Sequence, residues 1–413
     1  MLAVTAVVVV LVLLAGLGWL LVQAATGGWR RILIRAEWAT IMRNVGLAQR
    51  RDRETSHHPG AGEKTSPTRQ IEHLPRLWAL WGRPVGPLTA RVGATYRVWS
   101  AAGQTTAEVA AQAERIAASV HSQRVIIDIA SPRRCRLTVL WKDPFTLPKP
   151  WAPAEHGTTT PAFDVRGKLI TAPLMTSWGG SWLIGASAGS GKSAWTNALV
   201  ADLVRQPAGT VHLLGVDLKR VELGPWSPAF VQVARDRAHA EKLIRWCRQF
   251  VDVRMADLEQ AGLRCVPERP TVEWPYVALV VEELGALLSG KGPQIDELRQ
   301  LLGELTMLGR AAGLIIVAAV QRPTTDLVPG QFRDNIPRRV LLRVPTLDHG
   351  QAVLGWRPTQ ADLDQLDTPG LALVDLPGRR PFLARSTFGT VDHVATVAAT
   401  HAIHPTARRT AAA

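Results

Sequence analysis

A glycine-rich loop between an apolar strand and an apolar helix constrains the fold more than any other part of this sequence. The run SWLIG is followed directly by ASAGSGKS, from Ala186 to Ser193, and then by the helical pattern AWTNALVADLV. Strand, glycine-rich loop and helix in this order are the context that a phosphate-binding loop of the Walker A type requires. Glycines let backbone N–H groups turn inward around phosphates, and the amino end of the helix adds a favourable dipole. The stretch therefore predicts nucleotide binding.

The residues of this loop are expected to have separate roles. Lys192 is expected to reach the β- and γ-phosphates of ATP, and the Ser193 hydroxyl is expected to be a ligand of Mg²⁺. The strict pattern has glycine five residues before Gly191, where this chain has Ala186. Alanine is tolerated there if its φ angle is negative. The predicted ATP contacts are Ala186, Ser187, Ala188, Gly189, Ser190, Gly191, Lys192 and Ser193.

Two later strands are predicted to complete the ATP site. The apolar run YVALVVEE ends in Glu282 and Glu283, which is typical of a Walker B element. The first acid is expected to hold Mg²⁺, usually through water, and the second to polarise the attacking water. Glu282 stands where Asp is usual, so its extra methylene is expected to shift the metal. The run GLIIVAAV is followed by Gln321, whose position at a strand tip predicts a contact with the γ-phosphate.

Alternating strands and helices predict an α/β fold. From about residue 163 to residue 386, short runs rich in Val, Ile and Leu are separated by helical patterns, which indicates a sheet covered on both faces. A smaller β-α-β-β pattern, from 86 to 145, precedes it and predicts a separate α+β subdomain. The six predicted strands of the larger part are SWLIG, VHLLGVDL, YVALVVEE, GLIIVAAV, RRVLLRV and LALVDL.

The amino terminus is predicted to be a membrane anchor. Residues 2–25 contain no charge and are long enough to cross a bilayer as a helix. Arg30, Arg31 and Arg35 follow, which places the rest of the chain in the cytoplasm by the positive-inside rule. We therefore expect a single-pass protein of the cell membrane. The predicted divisions are an anchor at 1–28, a basic juxtamembrane segment and linker at 29–75, the small subdomain at 76–150, the ATPase domain at 151–388 and a flexible tail at 389–413.

The charge favours a polyanionic partner. The formal net charge is +14, with a pI near 10.7, and such a balance favours binding to nucleic acid or to acidic lipid. Enrichment in Arg, Ala, Gly and Trp explains part of this charge as composition bias. The three cysteines have neither disulfide nor zinc spacing and are expected to be small core residues.

Taken together, these motifs resemble the FtsK/SpoIIIE family of DNA translocases. In the family's order the chain has the A-x-x-G-S-G-K-S loop, VDLKRVEL (216–223), VVEE, GRAAG (309–313), the segment 319–326 and DNIPRR (334–339). The resemblance implies a RecA-like P-loop NTPase core, with ATP and Mg²⁺ as cofactors, and a hexameric ring around double-stranded DNA. It also implies that Asp217 and Lys219 lie beside the ATP site. Arg310 and Arg339 are the candidates for contacts across a subunit boundary.

The chain departs from the division translocases of this family. It has one predicted span, a short linker and no predicted winged-helix domain after residue 386. In this it resembles the compact translocases of actinobacterial mobile elements, which move DNA between cells with the help of element-encoded accessory proteins. Chromosome or plasmid segregation stays open as a role for the same motor. Two further alternatives are a protein-export ATPase of the type VII secretion kind and a nucleotide-binding membrane scaffold with weak hydrolysis.

Overall fold

A computed structural model describes residues 28–53, 69–77, 83–84, 93–146 and 148–403, and the chain divides into two compact units, 1–146 and 147–413. The helices of the first unit are α1 (Gly28–Asn44), α2 (Thr106–Ala111) and α3 (Ala113–Ser119). Its strands are β1 (Gln49–Arg53), β2 (Arg69–His73), β3 (Arg76–Leu77), β4 (Arg83–Pro84), β5 (Gly93–Trp99), β6 (Arg124–Ser131) and β7 (Arg134–Leu140).

The predicted β-α-β-β pattern is present in the first unit as β5, the helix pair α2 and α3, β6 and β7. The antiparallel sheet has the order β3-β5-β7-β6, β4 also pairs with β5, and β1 pairs with β2 separately. Thr105 and Glu108 form a capping box at the start of α2, which satisfies backbone N–H groups that a helix start leaves unpaired. The predicted single helix is interrupted at Gln112, where α2 ends and α3 begins.

Helix α1 shows that the segment after residue 28 is folded. Its residues Ile34, Trp38, Ile41 and Met42 are buried in the core of the first unit. This spacing gives one apolar helix face, and burying that face in the core of the unit stabilises the helix, which contacts α3. The indole N–H of Trp38 donates to the Pro75 carbonyl at 2.6 Å. The basic stretch after residue 28 is therefore part of a folded unit, and β1 and β2 replace the outer parts of the predicted linker.

The predicted membrane span at 2–25 lies outside the described residues. Within the ranges that the structure describes, no helix is both long enough and apolar enough to cross a bilayer.

The second unit has the predicted α/β architecture around a sheet of ten strands. Its helices are α4 (Lys192–Val204), α5 (Arg237–Gln260), α6 (Leu284–Leu288), α7 (Pro293–Ala312), α8 (Gly330–Asp334), α9 (Leu347–Leu354), α10 (Gln360–Asp364) and α11 (Val391–Thr400). Its strands are β8 (Thr158–Asp164), β9 (Leu169–Pro173), β10 (Trp182–Ala186), β11 (Val211–Val216), β12 (Gln232–Ala234), β13 (Tyr276–Val281), β14 (Leu314–Gln321), β15 (Arg338–Leu341), β16 (Leu371–Asp375) and β17 (Phe382–Ser386).

The sheet order places the ends of the central strands together. The order is β12-β11-β13-β14-β10-β15-β16-β17-β8-β9. The six strands at one side of the sheet, β12-β11-β13-β14-β10-β15, are parallel to one another. The other four, β16, β17, β8 and β9, pair antiparallel with their neighbours. All six predicted strands are present. Because parallel strands end at the same edge, the residues that follow β10, β11, β13 and β14 meet there.

Helix α11 corrects the predicted flexible tail over its own length. Val394, Val397 and Ala398 are buried in the core of the second unit. The Thr390 side chain caps the helix by accepting from the His393 N–H. The sequence looked poor in core material because Ala and Thr dominate it, yet three small apolar residues on one face are enough to bury this helix.

Two of the three cysteines are the expected core residues. Burial raises the pKa of Cys135 to about 11 and that of Cys247 to about 12, so both thiols stay protonated at neutral pH. Cys265 is exposed, contrary to the prediction.

Candidate nucleotide site

The loop after β10 has the backbone that phosphate binding needs. Gly189 and Gly191 have φ angles of 73° and 97°, in the left-handed region that favours glycine. A Cβ atom at Gly191 would lie 2.2 Å from the backbone nitrogen of Gly370. That nitrogen donates to the Ser190 carbonyl at 2.9 Å. The loop before β16 therefore braces the phosphate loop, a contact that the local sequence did not indicate.

The departure at Ala186 has a structural explanation. Ala186 is the last residue of β10 and is fully buried. Among the described non-glycine residues, positive φ angles occur only at His121, Arg220 and Arg322. The φ angle of Ala186 is therefore negative, and alanine causes no backbone strain there. Gly185 is the position that needs glycine, because a Cβ atom there would lie 2.1 Å from Cγ2 of Val353. The glycine one step upstream thus serves packing against α9.

Lys192 and Glu282 form a buried ion pair. The Lys192 ammonium group donates to Oε1 of Glu282 at 2.5 Å and to the Glu282 carbonyl at 2.6 Å. Burial raises the pKa of Glu282 to about 7; the Lys192 charge opposes this rise, and the carboxylates of Glu222 and Asp217 add to it. The structure thus brings together the predicted phosphate-binding lysine and the predicted metal-site acid.

Glu283, Gln321 and Lys219 form a second cluster at the same edge. One carboxylate oxygen of Glu283 accepts from the backbone N–H groups of Gln321 at 3.0 Å and Gly285 at 3.3 Å. The other oxygen lies 3.1 Å from the Lys219 ammonium group. Lys219 also donates to Oε1 of Gln321 at 3.1 Å. These contacts hold the carboxylate in one orientation, as the geometry of an acid that polarises water requires.

Asp217 and Ser193 lie on the Glu282 side of the site. Asp217 is buried, and its Oδ2 accepts from the Leu223 N–H at 3.0 Å. The Ser193 hydroxyl donates to Oε1 of Glu222 at 2.9 Å. Glu222 was missed as a site residue. Its only sequence signal was its membership of the VDLKRVEL segment, because the turn that carries it to Ser193 is a tertiary feature.

The residues at this edge fit Mg²⁺. Within the described residues, Oε2 of Glu282 and Oδ1 of Asp217 are buried without a hydrogen-bond partner. Carboxylate and hydroxyl oxygens are the donors that Mg²⁺ prefers, and it usually keeps several waters and uses substrate phosphates. The described part of the chain has no group of three or more His, Cys, Asp or Glu residues arranged to hold a metal.

The two predicted trans-acting arginines do not lie at this site. Arg310 is exposed at the end of α7 and donates to the Ser177 carbonyl at 2.7 Å, near the amino ends of the parallel strands. The Arg339 guanidinium donates to three backbone carbonyls, those of Ile336, Leu354 and Arg333, at 2.6–3.2 Å. Burial lowers the pKa of Arg339. Within one chain its contacts are those of a structural residue.

Comparison with curated proteins confirms the predicted resemblance to the FtsK/SpoIIIE family, although no protein-family model matches the chain. The chain is similar to DNA translocase FtsK of Streptomyces coelicolor, at 27% identity over 236 residues, which cover 52% of this chain and 25% of that protein. It is also similar to DNA translocase FtsK of Corynebacterium glutamicum, at 29% identity over 193 residues, covering 42% and 21% respectively. The chain thus spans about a quarter of the length of the curated relatives it matches.

Solved structures show the same fold. The pCW3 conjugation coupling protein TcpA, a monomer with ATPγS, aligns with a TM-score of 0.54 at 20% identity, covering 77% of this chain and 90% of that one. EssC (ATPases 2 and 3) from Geobacillus thermodenitrificans aligns with a TM-score of 0.50 at 15% identity, covering 62% and 50%. At these identities the likeness concerns the fold alone, which is one that ATPases use.

Proposed function

We propose that this chain is a membrane-anchored ATPase that moves double-stranded DNA. The observation that carries the ATPase part is the meeting of Lys192, Glu282 and Glu283 at one edge of a parallel sheet, beside the left-handed glycines of the phosphate loop. Buried acids and a buried lysine are costly to maintain in a fold. Their convergence at the carboxyl ends of parallel strands, where such sheets bind ligands, supports a catalytic role.

Each side chain has a role in hydrolysis that follows from its contacts. Within the described residues, Glu282 uses two of the three Lys192 donors, which leaves the third for a phosphate oxygen. Ser193 and Glu282 would hold Mg²⁺, which when bound neutralises phosphate charge. Glu283 accepts the proton of the attacking water. The Lys219 ammonium group and the Gln321 backbone N–H hold the Glu283 carboxylate in one orientation.

Similarity to curated DNA translocases supports duplex DNA as the substrate. The excess of positive charge, most of which lies in the first unit, agrees with a polyanionic partner. We propose a homo-oligomeric ring, with hexameric symmetry by analogy to the family. Of the two arginines, Arg310 is the better placed to reach a neighbouring subunit because it is exposed and donates to one backbone carbonyl, that of Ser177, whereas three backbone carbonyls engage Arg339.

The anchor and the transfer role are the finer parts of the proposal. The uncharged run at 2–25 would hold the motor at the cytoplasmic face of the cell membrane. The structural likeness to a conjugation coupling protein supports transfer of DNA between cells. A chain lacking residues 1–27 should leave the membrane fraction in high salt and keep its ATPase activity. A truncated chain that stays in that fraction would remove the anchor from the proposal.

The test of the proposed function is ATP hydrolysis with and without duplex DNA. The purified full chain is titrated with two unrelated duplexes of equal length at several salt concentrations. We expect both duplexes to stimulate hydrolysis equally and binding to weaken steeply with salt, because a translocating motor contacts phosphates and leaves base edges unread. Hydrolysis that neither duplex stimulates would favour a protein-export ATPase. Nucleotide binding without turnover would favour a scaffold.

A further inference from the structure

The side chain of Glu222 is connected to the nucleotide site through Ser193. Oε1 of Glu222 accepts the Ser193 hydroxyl hydrogen bond at 2.9 Å, and the Glu222 side chain is half-buried. The turn after β11 presents Glu222 in this position. Arg220 in that turn has a left-handed φ of 59°, and the Leu223 N–H is tied to the buried carboxylate of Asp217. The placement of Glu222 is therefore built into the turn.

A serine that binds a metal needs an acceptor for its own proton. The hydroxyl oxygen offers a lone pair to the metal while its O–H bond still has to point at an acceptor. The carboxylates of Glu282 and Glu283 already accept from other donors. Oε1 of Glu282 accepts from Lys192, and Glu283 accepts from Lys219 and from two backbone N–H groups. The Glu222 carboxylate accepts the hydrogen bond that the Ser193 hydroxyl donates. Groups that orient metal ligands in this way raise metal affinity.

We propose that Glu222 is a positioning residue of the magnesium site, which accepts the hydrogen bond of the Ser193 hydroxyl and so turns the lone pairs of Ser193 toward Mg²⁺. The inference rests on the proposed function, because it takes the site to bind ATP with Mg²⁺. It goes further in assigning a role to a carboxylate that was not predicted, beside Asp217, Glu282 and Glu283. Its negative charge also lies near Glu282, on the same side of the site.

The test measures magnesium affinity rather than turnover. The full chain is incubated with a fluorescent, slowly hydrolysed ATP analogue, and Mg²⁺ is titrated while analogue binding is followed. For Glu222→Ala we expect the half-saturating Mg²⁺ concentration to rise about 10- to 100-fold. Glu222→Gln keeps an acceptor oxygen and should give a smaller rise. The matched control is Glu259→Ala, an exposed acid on α5, which should leave the midpoint unchanged.

Binding in EDTA separates this role from a structural one. Analogue affinity without Mg²⁺ should be the same for the wild-type chain, Glu222→Ala and Glu222→Gln. Loss of affinity in EDTA would show that Glu222 only supports the loop, and an unchanged Mg²⁺ midpoint in Glu222→Ala would overturn the inference directly. If Glu222→Ala does not fold, Glu222→Gln carries the same test. A wild-type chain that binds no nucleotide at all would instead refute the proposed ATPase.

A double-mutant cycle tests whether Glu222 acts through Ser193. Residues that act on one another give non-additive effects. In a Ser193→Ala background, Glu222→Ala should therefore change the Mg²⁺ midpoint by less than about twofold. Fully additive effects would contradict the assigned route through Ser193.

Discussion

The ammonium group of Lys192 lies 2.5 Å from Oε1 of Glu282, and both side chains are buried. Lys192 is the first residue of α4 and Glu282 follows β13, so the pair joins two parts of the sheet that are 90 residues apart in the chain. A buried ion pair is a poor way to stabilise a fold, because desolvation offsets most of the attraction. The pair is therefore better explained by the chemistry it places at the phosphate loop.

Replacing Lys192 with alanine should abolish hydrolysis and also reduce stability. Removal of the phosphate-binding charge should lower turnover by at least about 10²–10³-fold. Glu282 would be left buried without its partner, at a cost of about 1–3 kcal/mol because it can take up a proton. The double variant Lys192→Ala/Glu282→Gln should recover stability but not activity. Chemical denaturation and an ATPase assay check both points, and wild-type turnover in Lys192→Ala would refute the site.

Glu283→Gln should bind ATP but not hydrolyse it. The amide cannot accept the proton of the attacking water, and loss of such a base lowers turnover by about 10²–10⁴-fold. The backbone donors of Gly285 and Gln321 still find an oxygen on the amide, so the local structure is kept. Nucleotide affinity and turnover are measured against Glu259→Gln as the exposed control. Turnover within twofold of that control would show that another residue is the base.

The two left-handed glycines of the phosphate loop should differ in their response to alanine. Among the described residues other than its two chain neighbours, none has an atom within 4 Å of where a Cβ at Gly189 would lie, so alanine there meets only the backbone cost, about 1–2 kcal/mol. At Gly191 the same methyl group would also clash with the backbone of Gly370. Gly191→Ala should therefore weaken ATP binding at least about tenfold more than Gly189→Ala. Equal effects of the two substitutions would contradict the contact between the loops.

The buried acid Asp202 should make stability depend on pH. Burial raises the pKa of Asp202 to about 7, although the Thr160 N–H and the Arg205 charge oppose the rise. The folded pKa lies above the unfolded one, so the folded chain binds more protons and loses stability as pH rises from about 4 to about 7. Asp202→Asn should remove this loss and stabilise the chain at pH 8 by up to about 4 kcal/mol.

Denaturation of Asp202→Asn, the wild-type chain and the exposed control Asp257→Asn at pH 5 and pH 8 checks this point. The advantage of Asp202→Asn over the wild-type chain should be larger at pH 8 than at pH 5. An advantage that does not grow with pH would show that Asp202 is already ionised without cost.

Local patterns were enough to predict the centre of the second unit. The phosphate loop and the six apolar strands depend on residues that are neighbours in the chain, and each of these strands is present. Strands β8, β9, β12 and β17 were not predicted. They are short or contain Thr and Pro, and their stability comes from pairing with neighbouring strands of the sheet, which for β17 and β8 lie far apart in the chain.

Tertiary placement explains the other differences. Glu222 and Gly370 reach the phosphate loop through turns that no local pattern encodes. Arg339 matched a motif by position, but its guanidinium is engaged by backbone carbonyls once β15 and α9 are packed. In α1, the prediction relied on the basic residues and placed the segment at a membrane surface. The spacing of Ile34 and Trp38, four residues apart on one helix face, already indicated a buried face.

The most direct measurement of the central claim is displacement of a third strand from a DNA triplex on a linear duplex. A motor that moves along duplex DNA removes the third strand in its path, whereas a protein that only binds DNA and hydrolyses ATP leaves it in place. We predict that the full chain displaces the strand with ATP and Mg²⁺, and that Lys192→Ala and Glu283→Gln do not. Hydrolysis stimulated by duplex DNA without any displacement by the wild-type chain would contradict the account.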